Sequence, residues 1–230
     1  MNALALPFEF GSLSIPLVAF GLGALHALDA DHVMAVSGLA MRRTAPARCV
    51  QLGARWAVGH GVTLLTLGLL CYAIGHALPD HWHVYAERAV AVLLCAVGVT
   101  VLTGLATGGA RLRLHHHPGM TAHLHWVPAG KHHERDDAAD NHGAILIGAL
   151  HGMAGSAPML ALIPTGQRGD VAGAVLVLAA FSVGVLLAMS LFGLAVGFAA
   201  ERSERAIPWL RGLAGSGSVV LGCAIFSGSF

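Results

Sequence analysis

Charge is scarce in this 230-residue chain: 11% of its residues are Asp, Glu, Lys or Arg, against about 25% in an ordinary soluble domain. That deficit, with 56% hydrophobic residues and a mean hydropathy of +0.70, excludes a disordered chain and argues against a soluble enzyme. Thirteen Lys and Arg balance twelve Asp and Glu to a formal net charge of +1, so no overall field directs the chain to nucleic acid. Thiol chemistry is equally thin. Cys49, Cys71, Cys95 and Cys223 stand singly with no CxxC, so a thiol relay lacks its main argument and the four read as small buried hydrophobes. Residues 1–10 contain no Lys or Arg and no small-residue cleavage pattern. The first apolar segment is therefore expected to remain as a helix and not to be removed as a signal peptide.

What is abundant is uncharged apolar sequence in runs of about 20 residues, the length of a bilayer-crossing helix. The uncharged stretch 89–110 shows none of the alternating polarity of a transmembrane barrel strand. The expected fold is an all-α membrane protein with about six transmembrane helices, near residues 12–40, 56–78, 89–107, 143–164, 171–200 and 207–228. Lys and Arg gather in three connections: Arg42, Arg43, Arg48 and Arg55; Arg111, Arg113, Lys131 and Arg135; Arg202, Arg205 and Arg211. Only Arg88 and Arg168 fall on the opposite side. The positive-inside rule makes those three connections cytoplasmic, with both termini outside, in a multi-pass protein of the cell (inner) membrane.

Gly23-Ala24-Leu25-His26 in the first span recurs as Gly148-Ala149-Leu150-His151 in the fourth. Three spans per half make the halves inverted relative to each other, an arrangement that puts a binding site between repeats near the midplane. The expected organisation is a first three-helix repeat over 1–107, a flexible His-rich cytoplasmic loop over 108–142 and a second three-helix repeat over 143–230.

Two acidic residues lie where charge is costly. Only Asp29 and Asp31 of the twelve acids fall inside a span, within His26-Ala27-Leu28-Asp29-Ala30-Asp31-His32. Each intramembrane charge costs at least about 2.5 to 3.5 kcal/mol on the insertion scale, and a bound cation is the compensation expected here. On an unbroken helix His26, Asp29 and His32 share an arc of about 120° while Asp31 points nearly the other way, to be oriented by a backbone break or paired elsewhere. Imidazole with carboxylate suits Ni, Co and Zn, whereas Mg or Ca favours oxygen alone. His60 and His151 enter from the cytoplasmic side, about 8 Å beyond Arg55 and about 12 Å beyond Gly143, deep enough to meet His32. Interhelical hydrogen bonding or a proton relay is the competing role for these two.

His26-Ala27-Leu28-Asp29-Ala30-Asp31-His32 resembles the HX4DH signature of the nickel/cobalt transporter family. Gly59-His60 and His151-Gly152 resemble motifs of its shorter, urease-accessory-type membrane members. The resemblance covers the transmembrane part of nearly the whole chain; it implies a permease for Ni(II) or Co(II), with His26, Asp31 and His32 at the matching positions and Asp29 filling the site between. The chain has six expected spans where the longer members have eight.

Eight of the fifteen histidines lie in 108–142. His115, His116, His117, His123, His125, His132, His133 and His142 would hold divalent metal weakly, as a buffer or sensor at the cytoplasmic mouth. His76, His81 and His83 near Pro79 offer a similar capture point on the other side. The expected function is transport of a divalent transition-metal cation, not enzymatic catalysis, with the metal as substrate and no prosthetic cofactor. Uptake by alternating access is the leading expectation. Its rivals are proton-coupled efflux, an intramembrane metal-dependent enzyme with Ser156 near the metal, and a metal-binding accessory protein. The expected partners are the metal ion, the lipid bilayer, and metallochaperones or urease and hydrogenase maturation proteins, with no nucleic acid.

Overall fold

A computed structural model of the protein describes residues 10–40, 45–74, 80–107, 111–115, 123–127, 135–154, 171–202 and 207–229. Among these the chain is helical apart from one short hairpin. Helix α1 spans Phe10–His26, α2 Ala30–Ala40, α3 Pro46–Ile74, α4 Asp80–Ala106, α5 Arg135–Ala154, α6 Val171–Arg202 and α7 Ile207–Phe226. Four of them, α3, α4, α6 and α7, are long and apolar enough to cross a membrane, and α1 and α5 contribute the shorter apolar stretches Ile15–His26 and His142–Ala154. Their surfaces are those of a multi-pass membrane protein. Leu17, Leu146, Leu213 and Val220 point outward, each more than 60% exposed, an apolar exterior that water would penalise and lipid accepts.

The first span is not one helix. Leu28 and Asp29 donate their N–H groups to carbonyls three residues back, at Leu25 (2.9 Å) and His26 (3.0 Å), which closes α1 in a tight turn. The Asp29 carbonyl then accepts the Val33 N–H (3.0 Å) and opens α2. Aspartate is favoured at such a start, and Asp31 in the first turn of α2 meets the positive end of that helix. The break cancels the helical-wheel argument that set Asp31 opposite His32.

The connection 108–142, expected to lack regular structure, carries an antiparallel pair, β1 Arg111–His115 and β2 His123–Val127, with Arg111 opposite Val127 and His115 opposite His123. Helix α5 begins at Arg135, ahead of the expected start at 143. His116, His117, His132 and His133 lie outside the described residues, as does Ser156.

Helix α3 packs against both α5 and α6, α1 against α6, and α4 against α7, while α2 reaches α3, α4, α6 and α7. Glycine makes these contacts close. A Cβ on Gly148 (α5) would run into the Trp56 carbonyl oxygen of α3, and one on Gly59 (α3) into that of Ile145. On the other flank, Gly23 (α1) abuts the Phe181 carbonyl of α6 and Gly184 (α6) that of Phe20. Backbones in direct contact bring side chains on three helices into one small volume.

Gly148→Ala is expected to destabilise the protein by about 1 to 3 kcal/mol or more through overpacking. Gly104→Ala, where a Cβ meets nothing within 4 Å, is expected to be neutral or mildly stabilising. Thermal unfolding of both variants in detergent checks this, and a Gly148→Ala protein that melts with the wild type would contradict the close contact.

Candidate metal centre

Four histidines from four helices meet inside the bundle. His26 ends α1, His32 sits in the first turn of α2, His60 is in the middle of α3 and His151 is in the last turn of α5. The ring centroids of His26 and His32 are 4.5 Å apart, His26 and His60 5.6 Å, His32 and His60 5.3 Å, and His32 and His151 5.5 Å. One ligand nitrogen each from His26, His32 and His60 lies within 4.8 Å of the others. His32, His60 and His151 are all at least 98% buried.

Hydrogen bonding fixes which nitrogen faces inward. His26 Nδ1 lies 2.8 Å from Asp29 Oδ2, and His32 Nδ1 lies 2.7 Å from Asp31 Oδ1. His151 Nδ1 lies 3.0 Å from the Ile147 carbonyl oxygen. A carbonyl oxygen and an ionised carboxylate only accept, so Nδ1 is the donor in each case and Nε2 of the neutral ring carries the lone pair. All three Nε2 atoms are buried and without a hydrogen-bond partner among the described residues, as are both ring nitrogens of His60. Leaving a buried polar atom unpaired costs about 1 to 3 kcal/mol. Five such nitrogens in one cluster are too expensive to be incidental packing, and neutral imidazole Nε2 is a standard donor for borderline divalent ions. The residues fit a transition-metal ion, with Asp29 and Asp31 acting as the carboxylates that orient metal-binding imidazoles from behind.

All six residues singled out in the spans, His26, Asp29, Asp31, His32, His60 and His151, fall in this one place, but their roles divide. The imidazoles face the centre through Nε2 or, for His60, an unassigned ring nitrogen. The carboxylates hold two of those rings. Asp29 and Asp31 also form, with His32, a second group whose ligand atoms lie within 4.8 Å of one another. Asp29 is 56% exposed at its side chain and His26 19%, whereas His151 is buried.

Two aromatic residues of the centre were missed. Trp56 touches His32, His60 and His151, and Phe181 touches His26. Trp56 stands four residues before His60 on the same helix face, a spacing that was visible; Phe181 has no such local signal. The cysteines need one correction: Cys95 and Cys223 do not stand singly in space, their Sγ atoms being 4.0 Å apart across α4 and α7. Of the loop histidines, His115, His123 and His125 lie on the hairpin strands.

Comparison with known proteins agrees with a membrane-embedded chain. A family model described as the cytochrome c biogenesis protein transmembrane region matches residues 32–224, beginning at His32. A urease accessory protein, UreH, of Bacillus sp. (strain TB-90) is 28% identical over 204 residues, covering 85% of this chain and 81% of the relative. No solved structure matches.

Removing an orienting carboxylate is expected to cost about 10- to 100-fold in metal affinity. Asp31→Ala should show that loss in Co(II) competition against a chelator, while Asp31→Asn, which keeps an acceptor oxygen for His32 Nδ1, should lose less. Equal affinity in Asp31→Ala and the wild type would contradict the orienting role.

Proposed function

The chain belongs to the family of cytochrome c biogenesis protein transmembrane regions, and we propose that it moves a divalent transition-metal cation, Ni(II) or Co(II), into the cytoplasm across the cell (inner) membrane. The observation that carries this reading is the convergence of three preset Nε2 lone pairs and the unpartnered His60 ring in one buried cluster. The name of the Bacillus relative, a urease accessory protein, agrees with the resemblance to the shorter, urease-accessory-type membrane members. It favours urease or other metalloenzyme maturation proteins, or metallochaperones, as recipients of the ion.

The working arrangement is two inverted three-span repeats with both termini outside. Paired contacts support it. Phe20, Gly23, Trp56 and Gly59 each stand 125 positions before Ile145, Gly148, Phe181 and Gly184, and the glycine contacts exchange accordingly: Gly23 meets Phe181 as Gly148 meets Trp56, and Gly184 meets Phe20 as Gly59 meets Ile145. In the α4 and α7 pair the spacing is 124: Gly98 meets Gly215 and Val219 as Gly222 meets Ala91 and Cys95. Contacts that swap in this way are those of a two-fold axis, and an odd number of spans per repeat lays that axis in the membrane plane. His26 and His151 are then equivalent ligands, one from each repeat.

A hydrated ion exchanges water for imidazole nitrogen at the cluster from one side of the membrane and is released to the other when the halves rock. An inside-negative potential favours inward movement of a divalent cation by about 4.6 kcal/mol per 100 mV. In proteoliposomes with such a potential, nickel is expected to accumulate with the wild type and not with His60→Ala. Equal accumulation in His60→Ala, or in protein-free vesicles, would refute the reading.

The Cys95 and Cys223 pair suggests a second reading, thiol–disulfide exchange. Cys95 is half-buried and Cys223 exposed, and among the described residues no histidine or basic side chain is found beside them to favour the reactive thiolate. If transport is the function, the double variant Cys95→Ser and Cys223→Ser carries nickel at the wild-type rate; loss of transport in that variant would favour the thiol reading.

A further inference from the structure

Trp56 is fully buried and lies one turn before His60 on α3. Its indole is nearly parallel to the His60 ring, at 5.3 Å between centroids and 18° between planes. The rings of His32 (5.0 Å, 70°) and His151 (5.4 Å, 62°) meet it at steep angles. Among the described residues no other side chain makes ring contact with three of the four imidazoles except His32 itself, and Phe181, at the position 125 further on, meets His26 alone (5.4 Å). The burial of an indole here has a cost that an aliphatic side chain would avoid, because Trp56 Nε1–H is buried without a hydrogen-bond partner, whereas buried indoles usually find one. What the indole supplies instead is a broad π face. When imidazoles bind a divalent ion they share its positive charge, and an aromatic face beside a cationic group is attractive, more so where water is excluded.

We propose that Trp56 is a positioning residue of the metal centre: its face sets the ring plane of His60, its body blocks rotation of His32 and His151, and together these hold the donor nitrogens in the arrangement that a divalent transition ion requires. This inference rests on the metal-binding reading of the same cluster. The role belongs to the aromatic face and not to the N–H group, which has no partner. Phenylalanine therefore retains it in part, and leucine, of similar apolar character, does not.

The test uses the full chain in lipid nanodiscs, with one equivalent of Co(II) and three proteins: wild type, Trp56→Phe and Trp56→Leu. Trp56→Leu is expected to bind Co(II) about tenfold more weakly, with a changed ligand-field absorption band. Trp56→Phe is expected to keep the wild-type band and most of the affinity. Tryptophan emission provides a second readout. A Co(II) ion held by His32 and His60, both in ring contact with Trp56, lies close to this indole and quenches it, so the quenchable part of the wild-type emission should be missing from Trp56→Phe. If Trp56→Leu does not fold, this comparison of wild type with Trp56→Phe decides alone. A wild-type band and affinity in Trp56→Leu, or quenching that survives in Trp56→Phe, would overturn the positioning role while leaving the metal centre standing. Absence of any Co(II) band in the wild type would overturn the metal centre and this inference together.

Discussion

The structure depends on three hydrogen bonds that commit the Nδ1 atoms of His26, His32 and His151 to acceptors. Once Nδ1 donates to Asp29, to Asp31 or to the Ile147 carbonyl, the opposite nitrogen of a neutral ring has a lone pair and nothing else. Three such lone pairs are buried and have no partner among the described residues. Donors would normally be supplied to satisfy them; here the fold supplies a fourth imidazole with both nitrogens free. A divalent transition ion is an electrophile suited to imidazole lone pairs.

Other features of the fold serve this cluster. Breaking the first span at residues 27–29 lets two carboxylates and two imidazoles stand side by side, and the polar backbone freed at the break is tolerated because it lines the site and not the lipid. The glycines at the α3–α5 and α1–α6 contacts bring His60 and His151, and His26 and Phe181, closer than helices bearing Cβ atoms there would allow. Large apolar side chains fill the interior around the imidazoles and also cover the outside, where lipid is the solvent.

Much of this was legible in the sequence. Intramembrane acids stood out because charge is so scarce, and the depths of His60 and His151 along their helices were enough to bring them to His32. What was not legible followed from broken periodicity and from tertiary contact. A helical wheel drawn through His26 and His32 assumes an unbroken helix, so it separated Asp31 from the ring it holds. Asp29 and Asp31 read as ligands because sequence shows which groups are near one another but not which atom of an imidazole is already engaged. The partnership of Cys95 with Cys223 depends on α4 lying against α7, which no local pattern encodes. The hairpin was a different kind of miss. Arg111-Leu112-Arg113-Leu114-His115 and His123-Leu124-His125-Trp126-Val127 alternate with a strand's period of two, but the density of histidine drew the reading toward an unstructured metal tether.

The central claim is that the buried imidazoles, and not the carboxylates, form the inner coordination shell. X-ray absorption on the lipid-embedded protein loaded with one equivalent of Zn(II) tests it most directly, using a variant in which His115, His116, His117, His123, His125, His132 and His133 are alanine. The account predicts multiple scattering from at least three imidazole rings, with Zn–N distances of about 2.0 to 2.1 Å. A shell composed of oxygen alone, or a variant that retains no zinc, would contradict it.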